Sequence, residues 1–128
     1  MKRRDSSFMD LLESYFSTYL PVAKGLSEKT SSSYKAAFRL FFEFLLTVKG
    51  IPSDKVSFEL IDNRIIEEFL AWMETDRNCS IATRNQRLSA LAAFSIYAQN
   101  RDFGSATAFR NSILKVPRKK TSRNGRSS

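Results

Sequence analysis

The sequence predicts an all-α protein, a compact bundle of four to five helices, and three observations predict it. Gly and Pro are scarce, 4 and 3 in 128 residues, so the chain has few points at which a helix must stop. Apolar residues recur at steps of three and four over long stretches, the spacing of one helix face. No segment alternates polar and apolar with the period of two that a half-buried strand requires. Hydrophobic residues make up 42% and include 11 Phe, 4 Tyr and 1 Trp, enough to build a core. The length suits one domain.

The first helix is expected over roughly Phe8–Tyr19, capped by Ser6 or Ser7, with Leu11, Leu12, Tyr15, Phe16 and Tyr19 on its apolar face and Pro21 and Gly25 ending it. The second runs from Glu28 to Val48 behind a Ser27 cap. Tyr34, Ala37, Phe38, Phe41, Phe42, Leu45 and Leu46 make its stripe, and Gly50 and Pro52 stop it. The third, Asp62–Glu74, buries Ile65, Ile66, Phe69, Leu70 and Met73, with Asp62 as cap and Trp72 at the rim. The fourth, Ile81–Gln99 behind Ser80, turns Ile81, Leu88, Leu91, Ala92, Ser95 and Ala98 inward, with Phe94 and Tyr97 widening that face. A short fifth helix, Gly104–Leu114, carries Phe109, Ile113 and Leu114. The aromatic stripes read as core. The chain thus divides into a basic tail at 1–5, a helical domain at 6–116, and a basic, Ser-rich, flexible linker or tail at 117–128.

Charge narrows the function. Lys and Arg number 21 against 13 Asp and Glu, a formal +8, which favours a polyanionic partner. Counting Lys115 with the closing basic run, nine of the 21 basic residues lie towards the two ends, leaving 12 between them. The chain has no His and one Cys, Cys79. That removes His-based acid–base and nucleophilic chemistry, disulfide frameworks and most metal sites, so no cofactor or metal is expected. The apolar stretch Phe8–Leu20 is broken by Asp10, Glu13 and Ser14, so neither a signal peptide nor a membrane span is expected, and a cytoplasmic location fits. Glu67, Glu68, Glu74 and Asp76 read as a solvated face rather than a paired-carboxylate site. Cys79 reads as a small helix-flanking residue rather than a nucleophile.

The two longest helices open alike, Ser27-Glu28-Lys29-Thr30 and Ser80-Ile81-Ala82-Thr83. Ordinary capping explains that much. The first turns that follow are small, polar and basic: Thr30, Ser31, Ser32, Ser33 and Lys35 after one cap, Thr83, Arg84, Asn85, Gln86 and Arg87 after the other. Helix N-termini attract phosphate, and these side chains also reach base edges. The outward stripes are read as Lys29, Ser32, Ser33, Ala36 and Arg39 on the second helix, and Thr83, Gln86, Arg87, Ala90 and Ala93 on the fourth. No Asp or Glu occurs from Arg77 to Arg101. These features weigh towards DNA contact. The alternative is a helical protein–protein interaction module using the Ala90/Ala93 stripe, or a plain solvent face.

The segments "LSEKTSSSYKAAFRLFFEFL" (26–45) and "CSIATRNQRLSALAAFSIYAQN" (79–100) resemble the N-terminal core-binding, SAM-like domain of phage-integrase-type (tyrosine) site-specific recombinases, and "ILKVPRKK" (113–120) resembles its interdomain connector. The resemblance spans roughly Phe8–Lys120. It implies a SAM-like helical bundle forming half of a clamp around duplex DNA during integration and recombination. Lys29, Thr30, Ser31, Ser33, Lys35, Thr83, Arg84, Asn85, Gln86 and Arg87 would be its contacts, and Lys119 and Lys120 would follow the backbone. Other recombinase subunits on DNA are further expected partners. The family's chemistry, breaking and rejoining DNA strands through a Tyr nucleophile, belongs to a second domain, expected to be absent here. This chain is then not itself an enzyme, and Tyr15, Tyr19, Tyr34 and Tyr97 are not taken for the nucleophile.

Overall fold

A computed structural model describes residues 7–25 and 27–120. All regular structure among the described residues is helical: α1 Phe8–Ser14 continuing as a π-helical segment Tyr15–Lys24, α2 Glu28–Thr47, α3 Asn63–Asp76, α4 Ile81–Arg101 and α5 Phe103–Leu114, with a 3₁₀ turn at Ser53–Lys55. The all-α prediction holds.

Four expected caps are in place. The hydroxyls of Ser7, Ser27 and Ser80 accept from the backbone N–H of Asp10, Thr30 and Thr83, and the Asp62 carboxylate accepts from Ile65, each satisfying a first-turn donor with no intrahelical partner. Asp102 caps α5 in the same way through Ser105.

The first helix departs from expectation. Pro21 lies inside it, and the helix reaches Lys24 before Gly25 ends it at φ 60°. A proline ring clashes with the carbonyl four residues back and offers no N–H. The wider i→i+5 turn of a π-helix relieves that clash, so the proline changes the hydrogen-bond register instead of ending the helix.

The core is aromatic. Phe8 meets Phe42, Phe58, Phe94 and Phe109 edge-on at 5.1–6.3 Å between ring centres, joining α1 to α2, α4, α5 and the 51–62 connection. On the far side Phe69 of α3 meets Phe41 and Phe44 of α2 at 5.0 and 5.8 Å. Val56, Phe58 and Ile61 are buried although they lie outside the helices. Of the apolar residues carried by the fifth helix, Phe109 and Ile113 are buried and Leu114 is 63% exposed; Val116 beyond it is buried.

Candidate nucleic-acid interface

The paired openings of α2 and α4 form two copies of one small device. In each, the Ser hydroxyl accepts from the Thr backbone N–H and donates to the Thr hydroxyl, at 3.1–3.2 Å for Ser27 with Thr30 and Ser80 with Thr83. Each Thr hydroxyl accepts that bond and keeps its own proton to donate. Lys29 is exposed, and Thr30, Ser31 and Ser33 are half-buried. Lys35 and Arg39 are exposed further along α2. Lys29, Lys35 and Arg39 form no ion pair among the described residues.

The two helices meet in a polar seam. The Gln86 amide donates to the Ser33 hydroxyl at 3.0 Å, and the Arg87 guanidinium donates to the Ser33 carbonyl at 3.2 Å. The structure therefore joins Ser33, Gln86 and Arg87. No hydrogen bond or ion pair joins Lys29, Thr30, Ser31 or Lys35 to α4 among the described residues. Beside the seam, Leu40, Met73, Arg77, Cys79, Thr83 and Arg87 line an open cleft of about 220 Å³.

The structure corrects the outward stripe of α4. Ala90 is 1% exposed and Ala37 of α2 is 0% exposed, each one turn beyond the seam. Ala90 is therefore part of the packed interior and not open to a partner helix, while Ala93 stays half-buried. The solvent face of α4 is rotated towards Ala82, Gln86 and Ile96.

Arg84, Asn85 and Lys119 come together, but with each other. Arg84 is 5% exposed. Its guanidinium donates to the Pro117 carbonyl and the Asn85 side-chain oxygen, both at 2.9 Å, and its Nε lies 3.6 Å from the Glu74 carboxylate, an ion pair without a hydrogen bond. Asn85 clamps the Lys119 backbone, accepting from its N–H at 3.0 Å and donating to its carbonyl at 2.7 Å. Lys119 Nζ reaches Glu74 at 3.0 Å, and Lys120 stays exposed. Glu74 is thus not simply part of a solvated face: its side chain is 22% exposed and compensates a buried cation. The sequence held one signal of this. The inner positions of α4, followed backwards from Ala98 through Ser95, Leu91 and Leu88 in steps of three and four, land on Arg84.

The tyrosines gather elsewhere. Tyr15, Tyr19, Tyr34 and Tyr97 line a groove of about 260 Å³ with Leu20, Ala93 and Ile96, and Tyr97 bonds Ser14 through its hydroxyl at 2.8 Å. Burial, and then the neighbouring Tyr34 and Tyr19, hold the Tyr15 phenol far above the ordinary tyrosine range. An unfolded Tyr15 would ionise near pH ~10. Its folded-state contribution to stability is therefore complete below that pH and is lost as pH rises towards the folded value. Alkaline unfolding of Tyr15→Phe should show a weaker loss of stability above about pH 10 than the wild type, read by circular dichroism. Cys79 follows the same logic: burial, then Glu74, push its thiol up against the opposing Arg87 and Arg84, so it is less a thiolate than a free cysteine.

Fold and site define a class: a small helical domain that presents a basic, acid-poor polar seam between two capped helices. The chain belongs to the family described as phage integrase, N-terminal SAM-like domain, whose model matches residues 11–104. It is 32% identical over 120 residues to a Sinorhizobium fredii (strain NBRC 101917 / NGR234) protein named "Putative integrase/recombinase y4rC", covering 94% of this chain and 36% of that protein. To a second protein of that strain, named "Putative integrase/recombinase y4rD", it is 37% identical over 84 residues, covering 66% of this chain and 30% of the relative. The chain spans about a third of the length of these curated relatives. No solved structure matches it significantly. Among the described residues, no helix is long and apolar enough to cross a membrane.

Proposed function

We propose that this chain is the DNA-gripping domain of a site-specific tyrosine recombinase, holding duplex DNA mainly through phosphates while strand breaking and rejoining belong to another part of the parent protein. The observation that carries this reading is the set of cations left without an ion pair on α2 among the described residues, Lys29, Lys35 and Arg39, beside an α4 that bears no acid from Arg77 to Arg101. Exposed cations without partners are free to displace counterions from phosphates, which is the main source of affinity for such domains. Ser33, Gln86 and Arg87 in the seam, with Thr30, Ser31 and Thr83 in the first turns beside it, supply further polar groups, and Lys120 extends the basic track. Arg84, Asn85 and Lys119 serve this surface by holding the connector in place beside it. The membership in an integrase domain family supports the reading, as do relatives more than twice as long, with room for a separate chemical domain. Duplex DNA is the proposed partner, with other recombinase subunits joining on it, in the cytoplasm.

Lys29→Ala and Lys35→Ala test it by fluorescence anisotropy on several unrelated duplexes. Each is expected to weaken binding to all sequences alike and to lower the slope of log affinity against log salt by about one. Unchanged binding in both variants would remove α2 from the interface. Loss on one sequence alone would make these residues readers of bases.

A further inference from the structure

A basic, apolar-poor segment such as Pro117–Lys120 reads as a free tether, yet its first residues are held by a dense set of polar contacts. The Pro117 carbonyl accepts from buried Arg84, the Lys119 N–H and carbonyl are both taken by Asn85, the Arg118 guanidinium donates to the Asn85 carbonyl at 3.0 Å, and Lys119 Nζ pairs with Glu74. Val116 just before is 5% exposed, an apolar anchor at the root. The contacts come from α3 and α4 and address the connector's backbone as well as its side chains. Backbone capture of this kind fixes a conformation, whereas a side-chain ion pair alone does not.

We propose that the first turn of α4, with Glu74 of α3, is a docking surface for the chain's own connector, and that Pro117–Lys119 is a fixed strut and not a tether. Arg84, Asn85 and Glu74 are then positioning residues. They set the point and direction from which the chain beyond Lys120 leaves the helical domain. Arg84 is the pin: its guanidinium is buried under the strut and compensated on one side by Glu74, on the other by the Pro117 carbonyl. Lifting the strut would leave that cation short of an acceptor. Asn85 is the clamp, because a side-chain amide carries an acceptor and a donor side by side and can meet the N–H and the C=O of one residue at once.

The test is amide hydrogen exchange and ¹⁵N heteronuclear NOE on the whole 128-residue chain, without DNA. In the wild type, the Lys119 amide is expected to be as ordered as the body of α4. In Asn85→Ala, which removes the clamp at a half-buried position, Lys119 exchange should speed up by about tenfold or more while α4 and core resonances stay put. Glu74→Gln, which releases only the Lys119 ammonium and the Arg84 charge, should loosen the strut less than Asn85→Ala. A Lys119 amide that exchanges at the free-chain rate in the wild type would overturn the proposal. So would an Asn85→Ala chain whose Lys119 is as protected as before. The wild-type measurement decides the matter even if a variant does not fold.

Discussion

Phe94→Ala is expected to destabilise the fold by about 3–5 kcal/mol, the range for deleting a buried aromatic side chain. Phe94 is 0% exposed and sits where the layers converge. Its ring lies 5.3 Å from Phe8 and from Tyr15, 5.4 Å from Phe38, 6.2 Å from Phe109 and 6.4 Å from Phe58. These partners come from α1, its π-helical continuation, α2, α5 and the 51–62 connection, so no one element can move in to fill the space. The penalty then combines lost transfer energy with an unrelaxed cavity, in a domain whose whole stability is on the order of 5–15 kcal/mol. Urea unfolding followed by circular dichroism measures it. Ile96→Ala, two residues on and 47% exposed, should cost within about 0.5 kcal/mol. Equal losses in the two variants would mean that the aromatic cluster is not the centre of the core.

The second large effect is on binding. If about six phosphates are neutralised, affinity for duplex DNA should fall about a thousandfold between about 50 and about 200 mM salt. Lys29, Lys35, Arg39 and Lys120, with the Lys and Arg of residues 1–5 and 121–128, are enough cations for that number. Cations already engaged, such as Arg77 with Glu43 and Lys49 with Glu68, should add little, since their counterions are acids of the protein itself. An affinity that hardly changes over this range would point to apolar association.

The helices and their caps are legible in the sequence because each signal is local. Ser27, Ser80 and Asp62 each stand one residue before the helix they cap, and a cap needs only its own first turn. What is not legible depends on contacts across the chain. Pro21 stays in its helix through a register change that no propensity anticipates. Val56, Phe58 and Ile61 are core residues in a segment too short and irregular to show a period. The spacing on α4 puts the outward stripe one step round from its true solvent face, because Ala90 suits a close helix approach as well as it suits solvent. At the candidate site, the polar, acid-poor composition of α2 and α4 is visible. That Arg84 and Asn85 hold residues more than 30 positions away is not.

DNA binding by this chain is tested most directly by NMR titration with a short duplex at low and at moderate salt. Shift changes are expected to cluster over Lys29–Arg39 and around Gln86 and Arg87, and to weaken as salt rises. An absence of shifts at low salt, with a candidate site and with random duplex alike, would rule out the DNA reading and turn attention to protein partners.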